Sequence, residues 1–282
     1  MKKCLIKATG WIGDNFFALS LPQKLKEELG FQVVDFLTYR PQPIRIINAN
    51  KFVDNIFFNR VEDESQYDEI FEMPVIKDLS EAPTIQFQKS CGLKNLSTEF
   101  NLTLEEDVDN LGKLFINCLP KNKLKVAYMG DWTSRKWNYS PEQYNKGETD
   151  TQGDASKIIS ILEDTNKYSL VNISPYSASN LNLDIRGYDV DPVRYALMAS
   201  IIKNCDLYIG SEGGTSNLAS GVGTRCIITW CHTHKQFGFN GKMFKNEDPK
   251  IGPKSFFPKG NHIHLDPYLN EEEVAQKIIE NT

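Results

Sequence analysis

Twice in this chain a short apolar strand runs into a glycine-bearing turn and straight on into a helix, and that repeated unit restricts the fold more than any other feature. Residues 4–9 lead into Gly10-Trp11-Ile12-Gly13-Asp14 and then a helix on which Ala18, Leu21, Leu25 and Leu29 share one face. Residues 206–209 lead into Gly210-Ser211-Glu212-Gly213-Gly214-Thr215 and a short helix over 216–222. Such a unit opens a parallel βα segment. In doubly wound sheets ligands collect at these turns, where the free N–H groups of a helix start favour anions. With 282 residues there is room for two α/β lobes, and the two turns suggest two facing binding edges.

The remaining pattern fills in both lobes. Strands are expected at 32–38, 53–58 and 67–71, and Gly30 stands where a helix C-cap belongs. Pro22 should kink the first helix, because it has no N–H for the carbonyl four residues back. A helix over 104–118 should bury Val108, Leu111, Phe115 and Cys118, and Pro120 marks the boundary of the first lobe. The pattern then restarts with a strand at 124–129, a helix capped by Asp154 and running to Glu163, and a strand at 168–173. Asp191-Pro192 opens a helix with Val193, Leu197 and Ile201 on its apolar face, and strands follow at 206–209 and 225–230. The lobes are thus 1–120 and 121–268, with a last helix in 269–282 expected to pack back onto the first.

Composition excludes several classes. The chain is 40% hydrophobic and 24% charged, globular in character, and its longest apolar runs fall far short of a membrane span of roughly 20 residues. We expect no stable membrane insertion and a cytoplasmic setting. The six cysteines form no Cys-x-x-Cys pair and read as reduced, mostly buried thiols. A net charge of −5 gives no bulk attraction to nucleic acid; a local patch exists at 235–259, where six lysines face Glu247 and Asp248, and it reads most simply as a solvated loop. His232-x-His234 and His262-x-His264 have strand spacing, but no thiol or carboxylate completes a site, so no metal is expected.

The chemistry gathers at the turns. Gly10 and Gly13 superficially fit a dinucleotide turn, with Asp35 at the ribose distance. However, the third glycine is missing, position 16 is Phe, and an anionic Asp14 at the helix start would repel a pyrophosphate. Asp14 makes sense instead as a general base that takes a proton from an acceptor hydroxyl, or as a helix cap; the roles are compatible. Gly10, Gly13 and Asn15 would form the acceptor-side loop. On the other lobe, Glu212, Gly213, Gly214, Thr215 and Asn217 offer a cradle for a diphosphate. Ser134, Arg135, Lys136 and Trp137, just after strand 124–129, add fixed positive charge for a leaving nucleotide.

Gly13-Asp14 in its strand–turn–helix setting, the Arg135-Lys136-Trp137 loop, and the run 211–219 followed by Gly221-Val222-Gly223 together resemble glycosyltransferase family 9, the heptosyltransferases of lipopolysaccharide synthesis. The resemblance covers about 1–60 and 124–230, leaving 60–120 and 231–265 uncovered. It implies a GT-B fold, two facing Rossmann-like domains with a cleft between them. It also implies inversion at the anomeric carbon, Asp14 as base, no required metal, and no cofactor beyond a nucleotide diphosphate sugar as substrate. Where the family usually carries Asp-Ser/Thr-Gly-x-x-His, this chain has Glu212-Gly213-Gly214-Thr215-Ser216-Asn217, and no acid in 174–183 is placed to hold a donor ribose. The sugar and the base are therefore open. A glycan or lipid-linked glycan is the expected acceptor. The alternatives are transfer to a modified nucleic-acid base and a nucleotide-sugar binding protein without turnover.

Overall fold

The first lobe's strands β1 (Lys3–Ala8), β2 (Val33–Thr38), β3 (Ile56–Phe58) and β4 (Glu69–Met73) form a four-stranded sheet in the order β3-β2-β1-β4. In the second lobe β5 (Leu124–Tyr128), β6 (Tyr168–Asn172), β7 (Leu207–Ser211), β8 (Cys226–Thr229) and β9 (Ile263–Leu265) form a five-stranded sheet ordered β6-β5-β7-β8-β9. Every pairing is parallel. This is a computed structural model, and it describes residues 1–73, 81–129, 155–173, 191–211, 213–229, 262–265 and 269–282. In each sheet the order reverses once, between β1 and β4 and between β5 and β7. Those are the switch points at which parallel sheets hold ligands, and the glycine turns after β1 and β7 lie there.

Nine helices accompany the strands among the described residues: α1 (Ile12–Ala18), α2 (Pro22–Leu29), α3 (Ile44–Asn48), α4 (Pro83–Ser90), α5 (Glu106–Asn117), α6 (Ala155–Asp164), α7 (Pro192–Lys203), α8 (Gly214–Gly221) and α9 (Glu271–Glu280). Pro22 does more than kink the first helix. It divides it, since α1 ends at Ala18 and α2 begins at Pro22 itself, where the missing N–H costs nothing. Ala18, Leu21 and Leu25 are nonetheless all fully buried. Gly30 takes the expected left-handed cap at φ 71°, and Asp191 caps α7 by accepting from the N–H groups of Val193 (2.8 Å) and Arg194 (3.3 Å). The Asp154 cap expected for α6 lies outside the described residues.

Two helical faces differ from expectation. On α5 the buried positions are Val108, Gly112 and Ile116, while Leu111 and Leu114 are exposed. The reason is a close approach to α7: a β-carbon on Gly112 would come within 2.7 Å of Ser200 Cβ and 2.8 Å of its carbonyl carbon. A helix meeting another at that distance puts its glycine, not its larger residues, in the contact. Asp109 secures the seam, with its carboxylate 2.6 Å from Lys203 Nζ and its carbonyl accepting from Ser200 Oγ at 3.1 Å. On α7 Val193 is half exposed, whereas residues 195–202 are buried on every side, as befits a helix between layers.

The lobes share their main core. Phe16, Phe17, Phe100 and Leu102 of the first pack in one cluster with Tyr195, Met198 and Leu218 of the second. The Phe16 and Tyr195 rings stack at 6.3 Å, and the Leu102 N–H donates to the Gly221 carbonyl at 2.9 Å. A separate core lies on the other face of the second sheet, where Val126, Ile158, Leu162 and Ile227 meet Val274 and Ile278 of α9. The last helix therefore packs on α6 and the second lobe instead of returning to the first. Its apolar face, Val274 with Ile278, is satisfied there, and a capping box between Asn270 and Glu273 fixes its start.

Candidate functional site at the two glycine turns

The turn after β1 closes tightly on its own helix. Thr9 Oγ1 donates to the Met73 carbonyl at 3.1 Å, tying the end of β1 to the end of β4 across the switch point. Asp14, third residue of α1, turns its carboxylate back so that Oδ2 accepts from the Trp11 N–H at 2.7 Å. That is the second half of a capping box, an acid in the first turn satisfying a free donor. The geometry dictates glycine at position 10, because a β-carbon there would lie 2.6 Å from Asp14 Cβ and 2.7 Å from its Cγ. Asp14 is buried, with 8% of the residue exposed. Asn15, expected on an acceptor-side loop, is instead fully buried in α1, and its Nδ2 donates to the Trp11 carbonyl at 2.9 Å.

The turn after β7 is built differently. Gly213 has φ 156° and ψ −169°, a combination essentially restricted to glycine, and α8 begins at Gly214. Gly210 is needed because the Tyr208 ring folds over it: a β-carbon would sit 2.6 Å from Tyr208 Cζ. Ser216 Oγ donates to the Ser211 carbonyl at 2.5 Å and so anchors α8 to the end of β7. Tyr208 is buried, and that burial pushes the pKa of its hydroxyl up. Thr215 is half-buried at the helix start, and Asn217 is buried.

The two turns meet. Gly214 Cα lies 3.9 Å from where a β-carbon on Gly13 would stand, and Asn217 Nδ2 lies 2.7 Å from it. In the other direction a β-carbon on Gly214 would touch Ile12 at 3.6 Å and the Gly13 nitrogen at 3.7 Å. Of the residues singled out in the sequence, Gly13, Gly214 and Asn217 thus meet at one seam between α1 and α8, and Gly10, Asp14, Gly213 and Thr215 flank them along the chain. Ser134, Arg135, Lys136, Trp137 and Glu212 lie outside the described residues.

Other features of the seam escape sequence reading. Trp11 is 52% exposed and the guanidinium of Arg40 lies over its ring, 4.5 Å from the centroid. His262 has a place in packing: its Nδ1 accepts from the Cys226 N–H at 3.0 Å, which leaves Nε2 to donate to Ser220 Oγ at 3.0 Å. It ties the start of β9 to β8 and α8. The only sequence signal for Trp11 is its place inside the glycine turn. Arg40 carries no signal without the strand register. Among the described residues no group of three or more His, Cys, Asp or Glu side chains could hold a metal ion, and no helix is long and apolar enough to cross a membrane.

Two parallel sheets with abutting glycine turns at their switch points define the class: a two-sheet parallel α/β fold of the doubly wound kind. Solved structures of that class resemble this chain over its whole length. A glycosyl transferase family 9 protein from Veillonella parvula superposes at a TM-score of 0.59 with 10% identity, covering 100% of this chain and 98% of that one. The ADP-heptose lps heptosyltransferase II of E. coli gives 0.60 at 10% identity, with 99% and 98% covered. The dodecameric iron-containing glycosyltransferase TibC of enterotoxigenic E. coli gives 0.57 at 9% identity, with 99% and 76% covered. No family model matches the sequence, and no curated protein matches it either. The chain has the fold of the heptosyltransferase structures, so the resemblance carried by its motifs extends to its architecture.

Proposed function

We propose that this chain is a glycosyltransferase that moves a sugar from a nucleotide diphosphate sugar to an acceptor hydroxyl with inversion, in the GT-B manner and without a required metal. The observation that carries the reading is the meeting of the two turns, with the Asp14 carboxylate on one side of the seam and the Gly213-Gly214 helix start on the other. In this reading 1–120 is the acceptor lobe and 121–268 the donor lobe, with a cleft between them. The backbone N–H groups at the start of α8 take the donor diphosphate, with Thr215 and Asn217 beside them. Arg135 and Lys136 supply the positive charge that stabilises the departing nucleotide, a task otherwise given to a metal ion. Asp14 takes the acceptor proton as the hydroxyl attacks the anomeric carbon.

The test is release of nucleoside diphosphate from a panel of nucleotide sugars, ADP-sugars included, with candidate glycan acceptors. A binding protein without turnover would show affinity and no release. Charge-assisted contacts to phosphate are worth about 1.5–3 kcal/mol, so Arg135→Ala or Lys136→Ala should weaken nucleotide binding roughly ten-fold or more. Unchanged affinity in both would remove that loop from the site.

A further inference from the structure

We propose that the outer face of α5 docks a second copy of this chain, the two helices lying antiparallel across a two-fold axis. The sequence marks that face. Asp107, Leu111, Leu114, Cys118 and Lys121 follow one another at spacings of 4, 3, 4 and 3 residues, the repeat that lays a seam along a pair of helices. The fold leaves the seam open. α5 packs on α7 through Val108, Gly112 and Ile116, while Leu111 and Leu114 stay exposed (42% and 64%) and Cys118, one turn on, is exposed too. Among the described residues no other two exposed large apolar side chains share an element.

Charge decides what covers it. Glu106 and Asp107 are exposed in the first turn of α5, whereas Lys113 and Lys121 are exposed toward and just past its other end. Asp107 lies 3.9 Å from Arg45, yet its side chain is 78% exposed and free to meet a further cation. A second copy turned end for end sets each acidic end beside the other's basic end, with the two helix dipoles opposed. The same patch then serves both partners, as an isologous contact requires, and each Leu114 packs against the Leu111 of the other copy. A membrane surface would meet the wrong sign, because Glu106, Asp107 and Asp109 repel anionic headgroups. With 12 residues α5 is about 18 Å long, and so short a seam sits at the low end of specific interfaces; the pair should hold in the micromolar range.

Sedimentation velocity of the full chain over a concentration series reaching about 100 μM should show a monomer–dimer equilibrium. Leu114→Glu, a change at an exposed position, should weaken dimerisation at least ten-fold and leave the melting temperature of dilute protein where it was. Asp107→Lys should weaken it as well. Adding Lys121→Asp to that chain should restore it, because in an isologous pair the double exchange rebuilds both cross-contacts with the charges reversed. The Cys118 thiol should react with a maleimide more slowly in concentrated wild type than in equally concentrated Leu114→Glu. None of these readouts depends on glycosyl transfer. A chain monomeric throughout, a dimer as tight in Leu114→Glu as in wild type, a double exchange no tighter than Asp107→Lys alone, or equal Cys118 rates in the two samples would overturn the inference.

Discussion

Substituting Asp14 separates two roles that its carboxylate combines. As a base it should contribute about 10²–10⁴-fold to turnover, so Asp14→Asn, which can still accept from the Trp11 N–H, should lose that much activity and keep its melting temperature. As a cap alone, asparagine would serve nearly as well, and only Asp14→Ala would register, at about 1 kcal/mol of stability. Near-native turnover in the asparagine variant would end the catalytic assignment. Gly10→Ala tests the same carboxylate from outside, because the new methyl group would stand where the Asp14 side chain folds back; turnover should fall although no acidic residue is changed. Residue-scale burial also governs the thiols. Burial pushes Cys4, Cys91 and Cys205 up from 9.0 to about 12, while Cys118 is exposed. Among the described cysteines Cys118 should therefore react first with a thiol reagent in native buffer, read by peptide mass. Because the folded chain holds the other protons more tightly than the unfolded one, the stability these thiols contribute is whole below pH 9 and drains away as pH rises toward 12. Rapid labelling of Cys4 or Cys91 at neutral pH would contradict their burial.

Between elements, the α5–α7 seam offers the sharpest test. Gly112→Ala should raise intrinsic helix propensity by about 1 kcal/mol, and on an isolated helix it would stabilise. In the folded chain the added carbon meets Ser200 side chain and backbone together, and backbone cannot step aside as a flexible side chain can. Overpacking of that kind typically costs about 1–3 kcal/mol, so the denaturant midpoint should drop. A midpoint at or above wild type would mean that the helices do not approach as described.

For the whole molecule, the core shared by both lobes predicts cooperative behaviour. Fluorescence and far-ultraviolet circular dichroism should report one coincident unfolding transition, since Phe16, Leu102, Tyr195 and Leu218 lose their contacts together. Two well-separated transitions would show the lobes to be independent. ADP at 100 times its dissociation constant should add about 2.7 kcal/mol to that stability. Turnover should survive chelation; activity lost with chelator and regained with a divalent cation would assign the diphosphate to a metal.

Much of this fold was legible because local rules act within a few residues. Strand–glycine–helix units, the left-handed cap at Gly30 and the Asp191-Pro192 helix start depend on backbone sterics and on neighbouring donors, and each stands where the residues place it. Gly10, Gly13, Asp14 and the 213–217 turn stand out in the sequence for the same reason, since each belongs to a strand–turn–helix unit read from neighbouring residues. Tertiary structure alone decided what depends on a second element. Which face of α5 is buried follows from how near α7 comes, and amphipathic spacing could not reveal that a glycine makes the contact. Where α9 packs follows from which apolar surface is left uncovered, here that of the second sheet. The Trp11–Arg40 pair and the His262 bridge between Ser220 and Cys226 join residues 29 to 42 positions apart. Only strand register sets such distances, because the parallel pairing of a sheet is a relation between segments that neither segment encodes by itself.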